Sequence, residues 1–500
     1  MPPKHRLAAR EQNAERANGA SSASKRKADA SSTDVAARTR KSQRGTTSQP
    51  YLPVRNTAPT QKLDVYVFGT NCDGELGLGD ATTKTEIPRP VLSPKLPADT
   101  VGIVHLAVGG VHSAALTHDN RILTWGVNDE GALGRDTTQR PEEIKLRDLD
   151  DDSDSDVSDV KARLNLNEAT PLPVNTCSIL SGTVFTQLAA TDSATFALTT
   201  EGFVYGWGTF RGSSGKMGFF PGTEFVPDAE KQQGTPVLLQ GLKNVTKLSA
   251  GAQHMLALTA EGIVFGWGCN EQYQLGRRRA YHSASHPLLP RECALSSGVT
   301  DIGAGQYHSF AVQKTGAIYA WGSNNYDQTA VFTNAGNSDA AVIYPTRLHT
   351  LPQTPKQTPK VISIQGGKDH SLAITEDGCC LSWGRVDNKA LGLDVNQIPS
   401  RNLIFDAYDR PRILKIPTVL IGLDQAVTSL GIGTDHSLAI TQDGHAYGWG
   451  FNAQKQVGQP GDVDEVVLPT LLSSKHVDGK KLVLAAAGGQ FSLVAGQHTG

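Results

Sequence analysis

From residue 63 to the end of the chain, short apolar runs recur between glycine-rich breaks. The stretch 367–384 is representative: Gly-Lys-Asp-His-Ser-Leu-Ala-Ile-Thr, then Glu-Asp-Gly, then Cys-Cys-Leu-Ser-Trp-Gly. Ser-Leu-Ala-Ile-Thr is alternating or continuously apolar over its length, the pattern of a half-buried or inner β-strand. Asp-Gly supplies the positive-φ position of a tight hairpin turn. The run ending in Trp-Gly is then a second strand, with glycine where another backbone must approach closely. The phrase predicts a β-hairpin.

The phrase repeats. All six tryptophans (125, 207, 267, 321, 383 and 449) are followed by glycine, and a seventh copy reads Phe68-Gly69. The steps between these glycines are 57, 82, 60, 54, 62 and 66 residues. Asp-Gly or Glu-Gly turns fall at 201–202, 261–262, 377–378 and 443–444. The first aromatic-Gly strand, at Tyr66–Gly69, has no first-strand phrase before it, and the last phrase, at Gly489–Val494, has no aromatic-Gly strand after it. Joining the two closes a ring and removes exposed sheet edges. The expected fold is all-β: a seven-bladed propeller over 63–500, closed by pairing of N- and C-terminal strands. Blades of 40–45 residues carrying Trp-Asp are disfavoured, because the period here is longer and the dipeptide is Trp-Gly.

Departures from a repeat are where function is sought. Eight residues after each Trp-Gly or Phe-Gly glycine stands another glycine in five copies: 77, 134, 276, 392 and 458. One copy has Ala330. Another has its glycine two residues late, at 218, and so carries an extension containing Phe210, Arg211, Gly212, Ser213, Ser214, Gly215 and Lys216. Phe210 and Arg211 stand at its base, and no blade needs the extension for closure, so deleting Ser213 to Lys216, or replacing Phe210 and Arg211 with alanine, is expected to leave the propeller folded. The 82-residue step holds an insertion at about 148–159 with seven acids and no base. It reads as a solvated loop, with Ser153 and Ser155 as possible phosphorylation sites. Arg277, Arg278 and Arg279 are consecutive cations, either a chance cluster or a patch for an acidic partner. His112, His254, His308, His370 and His436 share one register and read first as packing elements.

Charge divides the chain. Residues 1–62 hold 13 Lys/Arg against four Asp/Glu, whereas the remaining 438 hold 34 against 45. The first segment is rich in Ala, Ser, Thr and Gln and lacks an apolar stripe, so it is expected to be a disordered basic arm. Lys25-Arg26-Lys27 suits a nuclear-import signal, and the scattered cations suit phosphate contacts on DNA. No apolar run is long enough for a membrane helix, which excludes a membrane partner of that kind. Six cysteines show no disulfide or zinc spacing. No Ser/His/Asp set, carboxylate pair or phosphate-cradling loop sits on a break in the repeat, so neither covalent catalysis nor a cofactor or metal is expected.

The repeated Gly-x-x-His-Ser-x-Ala-x-Thr-x-Asp-Gly phrase ending in Trp-Gly resembles that of the regulator-of-chromosome-condensation family, over residues 63–500. The extension at 208–218 is similar to the β-wedge of the family's chromatin-bound exchange factor for the small GTPase Ran. The resemblance implies a Ran guanine-nucleotide exchange factor in the nucleus, with Asp192 and His370 on the GTPase-binding face. It also implies a nucleosome contact, on the histone acidic patch, through Arg277 to Arg279. An import receptor is implied for the arm, together with N-terminal methylation at Pro2. Where the family often has an acid stands Gln253, and where it has a histidine stands Phe491. The alternative is a non-catalytic chromatin adaptor. The family's plant UV-B photoreceptor is disfavoured, because every tryptophan here is used in the repeated strand.

Overall fold

The predicted hairpins form, and in one shared register. Strand His112–Thr117 pairs with Ile122–Gly126 so that His112 faces Gly126 and Ser113 faces Trp125. The same alignment places His254 opposite Gly268, His308 opposite Gly322, His370 opposite Gly384 and His436 opposite Gly450. At these glycines the backbone is left-handed and crowded: Gly126 has φ +98°, and a Cβ there would lie 2.5 Å from the Val111 carbonyl oxygen. This computed structural model describes residues 54–139, 164–212, 215–221, 228–278, 286–349, 351 and 360–500. Pro2, Lys25, Arg26, Lys27, the acidic insertion at 148–159, Ser213, Ser214 and Arg279 lie outside the described residues.

Among the described residues the strands make seven four-stranded antiparallel blades. Blades one to six span 103–173, 185–238, 245–292, 299–347, 361–419 and 427–471. The fifth carries an extra edge strand, Leu403–Phe405. Blade seven is shared by both ends of the chain. Leu63–Thr70 pairs with Phe491–Gln497 from Leu63↔Gln497 to Gly69↔Phe491, flanked by Leu482–Ala487 and Glu86–Leu92. The closure read from the sequence is the closure observed.

A polar relay joins successive blades. His112 Nε2 lies 2.9 Å from Thr195 Oγ1 in the next blade, and that hydroxyl donates to the Ala132 carbonyl. The Trp207 indole N–H donates to the same carbonyl at 2.8 Å. Equivalent sets are His254, Ser309 and Trp321 on the Gln274 carbonyl, and His308, Ser371 and Trp383 on the Gln328 carbonyl. His370, Ser437 and Trp449 share the Ala390 carbonyl, and His436 reaches Ser492. A hydroxyl has one proton, and here it goes to the carbonyl. The histidine must therefore donate, which fixes its Nε2–H tautomer. Where a glycine stands eight residues past the Trp-Gly or Phe-Gly glycine, it lies against the next blade's aromatic ring: a Cβ on Gly134 would sit 2.7 Å from Trp207 Nε1.

The ordered body begins before Leu63. Arg55 and Asn56 both donate backbone N–H groups to the Thr200 carbonyl, and the Asn56 carboxamide donates to Thr199 and Val245 carbonyls, each at 2.9 Å. Residues 54–62, assigned to the arm on charge and composition, thus clasp blades two and three. The arm boundary is corrected on that ground: a few well-placed donors bind backbone without any apolar stripe.

Candidate functional site

Blade two breaks the relay. Ala194 stands opposite Gly208, where five other blades carry histidine, and Met255 of blade three stands where the receiving hydroxyl would be. The Trp267 indole nitrogen is also buried without a hydrogen-bond partner, in the blade whose preceding loop is the extension. Aromatic packing fills this joint instead. Phe210 stacks on Phe196 and Phe219 with centroids 5.8 and 6.0 Å apart, and Phe196 meets Trp267 edge-on at 5.7 Å. From this anchor rises the extension, a hairpin of Phe210–Gly212 and Gly215–Gly218 in which Arg211 opposes Lys216. Phe210 is fully buried. It is the hairpin's root, and its packing among Phe196 and Phe219 corrects the expectation that alanine could replace it without cost to the fold.

Strand Ala194–Thr199 leads away from Asp192 and Val204–Gly208 returns, so the hairpin and Asp192 share one end of the propeller. There a polar network holds the hairpin's base. The Arg211 guanidinium pairs with Glu130 from the loop of blade one, and its backbone N–H donates to Gln253 Oε1 at 2.5 Å. The same Gln253 oxygen accepts from the Ser193 hydroxyl, next to Asp192, at 3.2 Å. Burial pushes the Asp192 carboxyl up to about 6, against the opposing pull of Gln253 and the Arg211 charge. A cavity of about 350 Å³ opens here, with Asp129, Glu130, Asp192, Arg211, Gln253 and Gln306 among its walls. Among the described residues no group of three or more His, Cys, Asp or Glu side chains could hold a metal ion. Amide, carboxylate and guanidinium groups on a concave rim suit recognition of a polar protein surface beside the projecting hairpin.

Two expected contacts lie elsewhere. His370 is fully buried, 3.0 Å from Ser437 Oγ, and burial lowers its pKa to about 4. A ring sealed between blades presents no surface, so its place on a GTPase-binding face is corrected: it belongs to the relay. Phe491, opposite Gly69, is the fully buried counterpart of these histidines in blade seven. Arg277 is partly buried and donates from Nη1 to the Gly266 carbonyl of its own blade, as Arg135 donates from Nη2 to the Thr124 carbonyl in blade one. It is a brace, because the backbone after the loop glycine turns the side chain inward. Arg278 is exposed and is the described member of the triplet that remains available to a partner.

Glu130, Phe196, Phe219 and the paired substitutions Ala194 and Met255 went unread in the sequence. The signal was present: blade two reads Thr191-Asp192-Ser193-Ala194 where Gly-x-x-His belongs.

Residues 64–494 match the RCC1-like domain. The chain belongs to that family. It is 36% identical over 441 residues to the guanine nucleotide exchange factor SRM1 of Saccharomyces cerevisiae, covering 87% of this chain and 88% of SRM1. The crystal structure of Prp20p from the same yeast, described with its binding to Gsp1p and histones, matches with a TM-score of 0.77 at 33% identity. That match covers 89% of this chain and 93% of Prp20p. Yeast RCC1 (Prp20) bound to Kap60 matches with a TM-score of 0.78 at 32% identity, over 92% and 97% of the two chains. These RCC1-like relatives share the propeller along nearly its whole length.

Proposed function

We propose that this chain is a guanine-nucleotide exchange factor for the small GTPase Ran, acting on chromatin in the nucleus and displacing nucleotide without covalent chemistry. The observation that carries the reading is the blade-two hairpin, rooted in an aromatic joint and braced on both flanks by Glu130 and Gln253. A rigid projection loses little entropy on docking, so its binding energy is available for distorting a nucleotide site. Exchange factor and nucleotide oppose each other through one shared partner, each weakening the other by the same factor. A thousandfold faster release requires about 4 kcal/mol off the dissociation barrier. The likeness to SRM1, named as an exchange factor, and to Prp20p, described with Gsp1p binding, supports the activity.

Chromatin attachment is assigned to exposed Arg278 with Arg279 on the histone acidic patch, and to the basic arm on DNA. The arm's Lys25-Arg26-Lys27 is assigned to an import receptor and its Pro2 to N-terminal methylation. The histones described with Prp20p and the Kap60 complex of its counterpart support partners of these classes.

The test removes Ser213 to Lys216, which leaves the Phe210 anchor in place. Expected is a folded protein, by circular dichroism, with release of labelled GDP from Ran at the uncatalysed rate. Release at the parental rate would refute the hairpin as the displacing element, and a non-catalytic adaptor would then be the better account.

A further inference from the structure

We propose that the outer surface where blades four and five meet binds single-stranded RNA, with exposed rings stacking on bases and cations holding phosphates. Two departures from the repeat that nucleotide exchange leaves unused adjoin here: the blade-four loop with Ala330, and the extra edge strand Leu403–Phe405 of blade five. Four cation–ring contacts between described residues all fall on this surface. Arg385 and Arg412 lie 5.0 and 4.9 Å from the centroid of Tyr326, Arg410 lies 5.2 Å from that of Tyr408, and Lys415 lies 5.3 Å from that of Phe332. Tyr408 is 79% exposed and Phe332 61%. Phe332 is held in place: its backbone is left-handed at φ +48°, and its N–H donates to the carboxylate of fully buried Asp327 at 2.9 Å. An aromatic side chain kept in water on a left-handed backbone is unfavourable on both counts, and a partner that covers the ring removes one of them.

Beside Tyr326 opens a cavity of about 680 Å³, with Lys389, Arg410 and Arg412 among its walls, large enough for a nucleotide. The carboxylates on the same walls are engaged. Asp387 pairs with Arg385, Asp406 pairs with Arg410, and Asp394 accepts from Asn396 and Gln397 in the turn that it caps. Among the described residues Lys389 and Arg412 have no carboxylate partner. Residues 385–415 hold six Lys/Arg against four Asp/Glu, in a body where acids outnumber bases. Unmatched cations beside open ring faces fit a phosphate backbone that carries unpaired bases. A duplex hides the faces of its bases and would leave the rings idle, and an acidic peptide would use the cations alone. Of the nucleic acids, RNA is the one recognised mostly where its bases stand unpaired, in loops and single strands.

The experiment titrates the full chain, by fluorescence anisotropy, with oligouridylate, oligothymidylate and an abasic backbone, each about 12 nucleotides long. Salt is kept near about 0.2 M, where phosphate contacts from the basic arm are weakened. The arm's one aromatic is Tyr51, so it adds attraction for phosphates without telling the three strands apart. Expected is roughly ten-fold tighter binding of oligouridylate than of the abasic strand, and binding at least as tight as that of oligothymidylate. Tyr408→Ser combined with Phe332→Asn, a residue that tolerates the left-handed backbone, should erase that preference while abasic binding and melting temperature stay parental. Arg412→Gln should weaken oligouridylate and abasic binding alike and lower the salt slope by about 0.7. Equal parental affinity for oligouridylate and the abasic strand overturns the proposal, as does an undiminished preference in the double variant. Tighter binding of oligothymidylate removes the assignment to RNA, and a firmer hold on polyglutamate than on any strand would make this a surface for an acidic protein instead. None of these measurements involves Ran, so the exchange-factor reading stands or falls separately.

Discussion

Phe210 and Arg277 show how one residue type can look functional and turn out to hold the frame. Phe210 is fully buried among Phe196, Phe219 and Trp267, so Phe210→Ala is expected to destabilise the protein by roughly 3–5 kcal/mol, the usual range for emptying an aromatic core site. Urea titration would show it as a lowered midpoint, and an unchanged midpoint would place the ring outside the core. Arg277 and Arg278 separate the same two roles between neighbours. Arg277→Glu puts a carboxylate where a guanidinium met a carbonyl and should cost about 3 kcal/mol of stability. Arg278→Glu should leave the melting temperature alone and weaken nucleosome retention in a pull-down at physiological salt. Equal behaviour of the two variants in both measurements would contradict this division.

At the scale of strands, the outermost member of five blades contains proline: Pro88 and Pro90, Pro173, Pro236, Pro345, and Pro469; in blade five the strand Pro411–Val419 is instead covered by Leu403–Phe405. In blade three, Pro290 directly precedes the strand Arg291–Glu292. Proline cannot donate to a further strand, so these outer edges refuse partners that the paired inner strands never meet. Replacing both Pro88 and Pro90 with valine is therefore expected to raise light scattering on incubation at 37 °C; scattering equal to the parent's would deny the prolines this role. Hairpins, turns and closure were legible because each is written locally, in period-two runs and Asp-Gly turns. The blade joints were not. Whether His370 faces a partner or Ser437 depends on the blade beyond, and the aromatic root of the hairpin needs Ala194 and Met255 read together. Such pairings are set by neighbouring blades, which sequence order separates by a whole repeat.

Taken as a ring, the molecule carries five fully buried histidines whose pKa values burial lowers to about 3 or 4. Each binds its proton more weakly folded than unfolded. Their contribution to stability is therefore intact above pH 6.5 and is lost as pH falls toward the folded values. By pH 5 the loss is about 2 kcal/mol per histidine, or roughly 10 kcal/mol in all, comparable with the whole stability of a typical fold. Cooperative unfolding between pH 6 and 4, followed by tryptophan fluorescence, is expected; a stability flat across that range would mean the rings stay solvated. The shared seventh blade has a consequence in time. Strand Leu63–Thr70 finds its partner Phe491–Gln497 only after more than 400 further residues have been made. At 5–20 residues per second, the ribosome leaves that strand waiting for roughly 20 to 90 seconds. For that interval the strand has Glu86–Leu92 on one edge and an open edge on the other, a row of unpaired backbone groups that invites wrong partners until Phe491–Gln497 is made.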